Sequence, residues 1–220
     1  MIGKIKDKIN EILTEAADPD SSGDEQKIIL VDPLSLPKEL QPEPEMRVIG
    51  LFGDVAEEKV AEVVQGILYH DQVNHLEENE EERQPIDFYL STYGGSADDM
   101  FALYDIMRLV KKTSQINTIG VGKVMSAGVL LLAAGTHGHR RIGKYCRVMI
   151  HSVMGGGHGT LPNLANEMEA IQQLQEDYIK ALVSETKMTK QQIKNMLERK
   201  VNVYLSAEEA VELGIADIII

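Results

Sequence analysis

Apolar positions from Met46 onward follow two different periods. Short runs of alternating or continuous apolar residues are typical of strands, and longer stretches with an apolar residue every three or four positions are typical of helices. The predicted strands are Val48 to Phe52, Phe88 to Ser91 and Ile116 to Gly122. The predicted helices are Glu57 to His70, Asp98 to Lys111 and one that starts at Ser126. This alternation predicts an α/β fold with a mostly parallel sheet and helical crossovers.

A longer helix is predicted for Leu161 to Thr186, which contains few residues that would break a helix. Its apolar residues at helical spacing are Leu164, Met168, Ile171, Leu174, Tyr178 and Leu182. One folded chain could cover only part of so long a stripe, so the pattern predicts burial against neighbouring subunits. Residues Thr189 to Gln192 have the sequence of a capping box, which predicts the start of another helix.

The first 45 residues have a different pattern. One helical face would hold Ile2, Ile5, Ile9, Ile12 and Leu13, which predicts a short amphipathic helix over residues 2–16. A polar break at Asp18 to Asp24 and a proline-rich connector at Pro33 to Pro44 follow that segment. We therefore interpret residues 1–45 as an N-terminal appendage and residues 46–220 as one folded domain.

The charge of the chain disfavours a nucleic-acid partner. The net charge is −13, because 35 acidic residues outnumber 22 basic ones. Binding to a phosphate backbone relies on concentrated Lys and Arg, so nucleic acid is an improbable ligand. The acidic run from Glu77 to Arg83 is predicted to be a solvated loop.

The chain also has no pattern typical of membrane insertion or export. Its longest apolar stretch, Val124 to Ala134, is too short to cross a bilayer, and the N-terminus has no apolar signal block. The single cysteine, Cys146, suits a reducing compartment and is predicted to be a buried strand residue. We expect a soluble, cytoplasmic protein with no membrane partner.

The candidate chemistry centres on Ser126. This serine lies in Gly-Lys-Val-Met-Ser-Ala-Gly, between the predicted strand ending at Gly122 and an apolar helix. A serine hydroxyl at a strand-to-helix turn is well placed to act as a nucleophile if a base can remove its proton. His151 ends the next apolar run, Val-Met-Ile-His, and is the candidate base.

A second motif precedes the serine. Gly94 and Gly95 follow an alternating apolar strand and come directly before a helix. Two glycines at such a place allow the backbone to approach a ligand closely.

These motifs, taken in order, resemble ClpP, the family of Clp protease proteolytic subunits. The resemblance rests on Gly-Gly at 94–95, Tyr-Asp-x-Met at 104–107, Gly-x-x-x-Ser at 122–126, Arg-Val-Met-Ile-His at 147–151 and Tyr-Leu-Ser-Ala at 204–207. It covers residues 46–220. The resemblance implies the ClpP/crotonase-like fold, with stacked, mostly parallel sheet, helical crossovers and a projecting long helix.

The resemblance also implies a function and partners. The chain would be an ATP-dependent Clp-type serine endopeptidase subunit with Ser126 as nucleophile and His151 as base. The backbone N–H groups of Gly95 and Ala127 would form the oxyanion hole. Two heptameric rings would stack into a tetradecameric chamber for unfolded polypeptides, with an AAA+ unfoldase or a ClpP paralogue as partner.

The third catalytic position departs from the family pattern. The family has an aspartate two residues before the aromatic of its Phe/Tyr-Leu-Ser-Ala motif, and Asn202 is at that position in this chain. An asparagine can orient an imidazole, but it cannot stabilise an imidazolium by charge. A two-residue difference in length after His151 leaves Glu198 and Asp177 as alternative orienting residues.

Two other functions remain open at this stage. Asn202 is compatible with a weakly active or inactive ring subunit that supports an active paralogue. The related crotonase architecture would instead give an acyl-CoA hydratase or isomerase, which does not need Ser126 and His151 together. No cofactor or metal is predicted, since His137 and His139 lack carboxylate or thiolate neighbours.

Overall fold

The structure, a computed structural model, describes residues 46–77, 79–198 and 202–220. The predicted N-terminal helix and connector lie outside the described residues. The strands are β1 (Val48–Phe52), β2 (Ile86–Thr92), β3 (Ile116–Met125), β4 (Arg141–Ile142), β5 (Arg147–Ile150), β6 (Val203–Leu205) and β7 (Ile218–Ile219). The helices are α1 (Glu57–Leu76), α2 (Ala97–Val110), α3 (Ala127–Ala133), α4 (Leu161–Glu185), α5 (Lys190–Leu197) and α6 (Ala207–Glu212).

The strands form one mostly parallel sheet, which confirms the predicted fold class. Its order is β1-β2-β3-β4-β7, with β5 beside the last part of β3 and β6 beside β5. Every pairing is parallel except that of β5 with β6. The crossovers α1, α2 and α3 join successive parallel strands, as expected for this architecture.

Strand β2 has one face that is more deeply buried than the other. Its residues alternate between buried and half-buried along the whole strand. The buried set, Ile86, Phe88, Leu90 and Thr92, faces the core together with α2 and α3. Helix α3 is buried over its full length, so it lies inside the domain.

Several predicted boundaries shift in the structure. Helix α1 ends at Leu76 instead of His70, and β3 continues to Met125 instead of ending at Gly122. Strand β3 therefore reaches the residue before Ser126, and α3 begins one residue after it. The apolar pattern does not extend past His70, because the buried residue near the C-terminal end of α1 is the polar Asn74. Its side-chain amide donates hydrogen bonds to the Ser114 hydroxyl and to the Gln84 carbonyl.

A buried ion pair holds the C-terminal ends of α3 and α4. Arg140 is 2% exposed and forms a two-pronged contact with Asp217, at 2.8 and 2.6 Å. The same guanidinium donates to the carbonyl oxygens of Ala133 and Glu185. Burial alone favours the protonated acid, but the hydrogen bonds and charge of Arg140 outweigh it and lower the pKa of Asp217 to about 2.

The predicted capping box at the start of α5 is present. The Thr189 hydroxyl accepts from the Gln192 backbone N–H, and the Gln192 side chain accepts from the Thr189 N–H. The two bonds satisfy groups that have no partner at a helix start.

The long helix α4 has two different halves. All ten residues from Leu161 to Ala170 are exposed, so the rest of the described chain covers little of this half. In the second half, Tyr178 and Leu182 are buried in the domain. The domain itself therefore covers only the part of the apolar stripe that contains Tyr178 and Leu182, and the part before it stays exposed.

Candidate active site

Ser126 lies at a sharp turn between β3 and α3. Its φ of 54° makes it the one non-glycine residue with positive φ in the described ranges. This conformation is unfavourable for a residue with a side chain and persists only where the surroundings hold it. The Ser126 N–H donates to the Met149 carbonyl at 2.8 Å, which pins the turn to β5.

His151 is brought to the serine by strand pairing. Met125 pairs with Met149 in the parallel ladder between β3 and β5, so the residues that follow each strand emerge at the same edge of the sheet. His151 Nε2 lies 2.8 Å from Ser126 Oγ. Both side chains are partly exposed, so a substrate can reach them.

The Gly94-Gly95 pair lies against the serine turn. A Cβ atom on Gly94, whose φ is 104°, would lie 2.6 Å from Ser126 Cβ and 3.0 Å from the Met125 carbonyl oxygen. The sequence predicts that the backbone at these glycines approaches a ligand closely. At Gly94, the group that the backbone approaches is Ser126.

Gly95 pairs with Val55 in an isolated parallel β-bridge whose two hydrogen bonds do not involve the Gly95 N–H. The Val55 N–H donates to the Gly94 carbonyl and the Ser96 N–H donates to the Val55 carbonyl, both at 2.8 Å. Ala127 is the first residue of α3, where an N–H has no partner inside the helix. Among the described residues, neither the Gly95 nor the Ala127 N–H donates a backbone hydrogen bond.

These groups line one cavity of about 180 Å³. The polar side of this cavity contains Gly95, Ser126, Ala127 and His151. The apolar wall is formed by Met100, Phe101, Val153, Met154, Leu174 and Tyr178. The arrangement places a hydroxyl, an imidazole and free backbone N–H groups beside a pocket that fits an apolar side chain.

The segment that follows His151 is held from two sides. The Ser152 hydroxyl donates to the Leu197 carbonyl of α5 at 2.8 Å, and the Val153 N–H donates to Gln175 Oε1 of α4 at 3.3 Å. The sequence does not predict this role for Gln175, because a glutamine on a helix has no local signal for such a contact.

Asn202 lies where the sequence places it, but without a contact to the imidazole. Val203 pairs with Ile150 in the antiparallel ladder, so extending the register by one residue sets Asn202 opposite His151. Asn202 is exposed. Over residues 46–77, 79–198 and 202–220, neither its side chain nor His151 Nδ1 makes a hydrogen bond.

The two alternative orienting residues differ in their surroundings. Asp177 accepts from Lys180 at 2.7 Å and from Gln173 at 2.9 Å, and the hydrogen bond from Lys180 lowers its pKa. It lines the adjoining hollow between α2 and α4, not the cavity with Ser126. Glu198 is exposed and directly follows Leu197, whose carbonyl binds Ser152.

Neither a reactive thiol nor a metal site competes with this cavity in the described part of the chain. Cys146 is buried one residue before β5, and burial raises the pKa of its thiol to about 11, which keeps it unreactive. The described ranges contain no group of three His, Cys, Asp or Glu residues that could hold a metal ion. They also contain no helix long and apolar enough to span a bilayer.

An α/β domain with a serine hydroxyl, a histidine and free N–H groups at one edge of a parallel sheet has the elements of a hydrolase site. The sequence model of the Clp protease family matches residues 44–220. This chain belongs to the Clp protease family, and so to the ClpP-like proteases.

Two curated relatives agree with this assignment. The chain is 32% identical over 172 residues to the ATP-dependent Clp protease proteolytic subunit 4 of Rhodococcus jostii, covering 78% of this chain and 84% of that protein. It is 34% identical over 143 residues to the ATP-dependent Clp protease proteolytic subunit 1 of Prochlorococcus marinus subsp. pastoris, covering 65% of this chain and 71% of that protein.

Proposed function

We propose that this chain is a serine endopeptidase subunit of Clp type, whose peptidase domain comprises residues 46–220. It hydrolyses unfolded or unfoldase-delivered polypeptides inside a ring-shaped chamber. The observation that supports this proposal most strongly is the 2.8 Å contact between His151 Nε2 and Ser126 Oγ in a cavity with an apolar wall.

The reaction follows from this geometry. Ser126 Oγ attacks the carbonyl carbon of the scissile peptide bond as His151 Nε2 takes the hydroxyl proton. The tetrahedral intermediate collapses, the C–N bond breaks, and the imidazolium gives its proton to the leaving amine. Water, deprotonated by His151, then cleaves the acyl ester and restores the Ser126 hydroxyl.

The negative oxygen of the intermediate needs donors that are already in place. The free N–H groups of Gly95 and Ala127 border the same cavity and supply them. Backbone donors need no particular side chain, and in a water-poor pocket they stabilise developing charge more strongly than water does.

Asn202 is the proposed orienting residue for His151, because the strand register sets it opposite the histidine. Its amide oxygen can accept from Nδ1–H after a side-chain rotation. That contact would select the tautomer whose Nε2 accepts the Ser126 proton, but a neutral amide gives no charge stabilisation of the imidazolium.

We expect Asn202→Asp to raise kcat for peptide hydrolysis by about tenfold, since a carboxylate both holds the tautomer and stabilises the imidazolium. Surroundings adapted to an amide keep the gain well below the roughly ten-thousandfold effect of the reverse change in trypsin-like enzymes. Steady-state hydrolysis of a fluorogenic peptide across pH 6 to 9 is the measurement.

Glu198→Gln and Asp177→Asn are the matched controls, and both should retain activity within about threefold. If the aspartate variant is no faster and Glu198→Gln abolishes turnover, the orienting residue is Glu198 and the assignment of Asn202 is wrong.

Assembly into rings is proposed from the exposed half of α4. Leu161 and Met168, with Met154 before the helix, expose 82%, 56% and 82% of their surface. Apolar side chains on a helix with no cover in its own domain are typical of a subunit interface. By analogy with the family, the occupant is a second ring of the same chain or of a paralogue, and an AAA+ unfoldase is the proposed partner.

One fractionation tests assembly and function together. The chain is separated by size with light scattering, and each fraction is assayed for hydrolysis of a fluorogenic peptide and for hydration of an enoyl-CoA thioester. We expect only peptide hydrolysis, in a species many times the 24.4 kDa of one chain. An active 24.4 kDa monomer would contradict the ring, and hydration without peptide hydrolysis would establish the crotonase-type alternative.

A ring-sized species without either activity would support the other alternative, an inactive subunit. A mixture of that species with an active paralogue would then hydrolyse the peptide, and a fluorophosphonate probe would label the paralogue but not this chain.

A further inference from the structure

Tyr178 connects the long helix α4 to the catalytic turn. Its side chain is 4% exposed, and its hydroxyl donates to the backbone carbonyl oxygen of Ser126 at 3.2 Å. The two residues are 52 positions apart in the sequence. Burial raises the pKa of the Tyr178 hydroxyl, so it stays protonated and able to donate at neutral pH.

The carbonyl that Tyr178 contacts belongs to a particular peptide unit. The Ser126 C=O and the Ala127 N–H are parts of one planar, trans peptide group, so they point in opposite directions. A group that fixes the direction of this carbonyl also fixes the direction of the Ala127 N–H. That N–H is one of the two donors assigned to the oxyanion above.

The same carbonyl has a second donor, the Val129 N–H of α3, at 3.0 Å. Two hydrogen bonds to one carbonyl polarise the amide and make its N–H a stronger donor. Val129 belongs to α3, the helix that directly follows the turn. Its hydrogen bond therefore fixes the turn relative to α3 but not relative to the rest of the domain. Tyr178 comes from a different element and restrains the carbonyl side of the turn, as the Ser126 N–H bond to Met149 restrains its other side.

We propose that Tyr178 is a positioning residue for the oxyanion hole, which aims and polarises the Ala127 N–H through the Ser126–Ala127 peptide. The inference rests on the proposed serine peptidase function. It also gives α4 a direct mechanical connection to the catalytic turn, because the helix whose first half is exposed carries Tyr178 in its second half.

Tyr178→Phe removes the hydroxyl and keeps the ring that lines the cavity. A fluorophosphonate probe reports on the oxyanion hole directly. The bond from Ser126 Oγ to phosphorus forms, the P–F bond breaks, fluoride leaves and His151 takes the hydroxyl proton, while the phosphoryl oxygen occupies the position of the oxyanion. We expect about tenfold slower inactivation and an about tenfold lower kcat, with KM unchanged within about twofold.

Tyr104→Phe is the matched control. Tyr104 is 5% exposed, and its hydroxyl donates to Glu185 Oε1 at 2.9 Å, so this variant also loses one buried tyrosine hydrogen bond. Its inactivation rate and kcat should stay within about twofold of the wild-type values. Thermal unfolding and light scattering of both variants establish that fold and assembly are retained.

The readouts separate three outcomes. A slower Tyr178→Phe variant with an unchanged pH midpoint for kcat supports positioning of the oxyanion donor, because His151 is untouched. Equal rates for wild type and Tyr178→Phe, or equal losses in both tyrosine variants, would overturn the inference while leaving the peptidase proposal intact. A wild-type chain that neither reacts with the probe nor cleaves peptide overturns both.

Discussion

Ser126→Ala should lower kcat/KM for a fluorogenic peptide by about ten-thousandfold or more, and His151→Ala should cause a loss of similar size. In the proposed mechanism the hydroxyl forms the covalent intermediate and the imidazole 2.8 Å away removes its proton, so the two residues would act as one unit. Removing either group leaves only the contribution of the oxyanion donors and of substrate binding. The losses are measured as initial rates at saturating and subsaturating peptide.

The double variant with both alanines should be no slower than Ser126→Ala alone, because the effects of residues that act together are not additive. Ser184→Ala, which changes an exposed serine on α4, is the control and should retain full activity. Residual hydrolysis in Ser126→Ala within about tenfold of the wild-type rate would contradict the assigned nucleophile.

Gly94→Ala should lower kcat/KM by about a hundredfold, because the new methyl group would lie 2.6 Å from Ser126 Cβ. Ser126 or the end of β2 must move to relieve that contact. A displacement of about 1 Å at a reacting group can cost about a hundredfold in rate. The same kinetic assay measures this loss, and the fluorophosphonate should label the variant more slowly in proportion.

Gly53→Ala separates contact from backbone strain. Gly53 has a φ of 112°, close to the 104° of Gly94, but a Cβ atom there would meet nothing within 4 Å. Both variants should therefore lose similar stability from the unfavourable φ, and only Gly94→Ala should displace Ser126. Equal activity losses in the two variants would mean that strain, and not the contact with Ser126, explains the effect.

The sequence predicts much of this fold because its local patterns agree with its tertiary contacts. The alternation along Ile86–Thr92 identifies β2, and the strand pattern before Ser126 predicts a serine at a strand-to-helix turn. The contact between Ser126 and His151 follows once β3 and β5 pair in parallel, since both residues leave the sheet at the same edge.

Other parts of the site depend on distances that no local pattern encodes. Tyr178 belongs to the apolar stripe of α4 by its spacing, but it is buried in its own domain and its hydroxyl donates to the Ser126 carbonyl. The packing of α3 against α4 decides which part of the stripe is covered, and the spacing alone does not show this. The pattern around Gly94 is typical of a glycine that admits a ligand, but a Cβ atom on Gly94 would lie closest to Ser126.

Asn202 shows how a motif can identify a position without establishing a contact. The Tyr-Leu-Ser-Ala motif predicts its place two residues before Tyr204, and Asn202 directly precedes β6, whose register with β5 sets it opposite His151 when extended by one residue. Whether the amide contacts His151 depends on side-chain rotation and on the substrate, neither of which the order of residues determines. The aspartate variant therefore tests its role more directly than the sequence can.

Covalent labelling is the sharpest test of whether Ser126 is a nucleophile that His151 activates. The full chain is treated with a fluorophosphonate and analysed by intact mass spectrometry and peptide mapping. We expect one adduct per chain on Ser126, its absence in Ser126→Ala and strongly slowed formation in His151→Ala. An unlabelled wild-type chain, or an adduct that persists in Ser126→Ala, would contradict this role of Ser126.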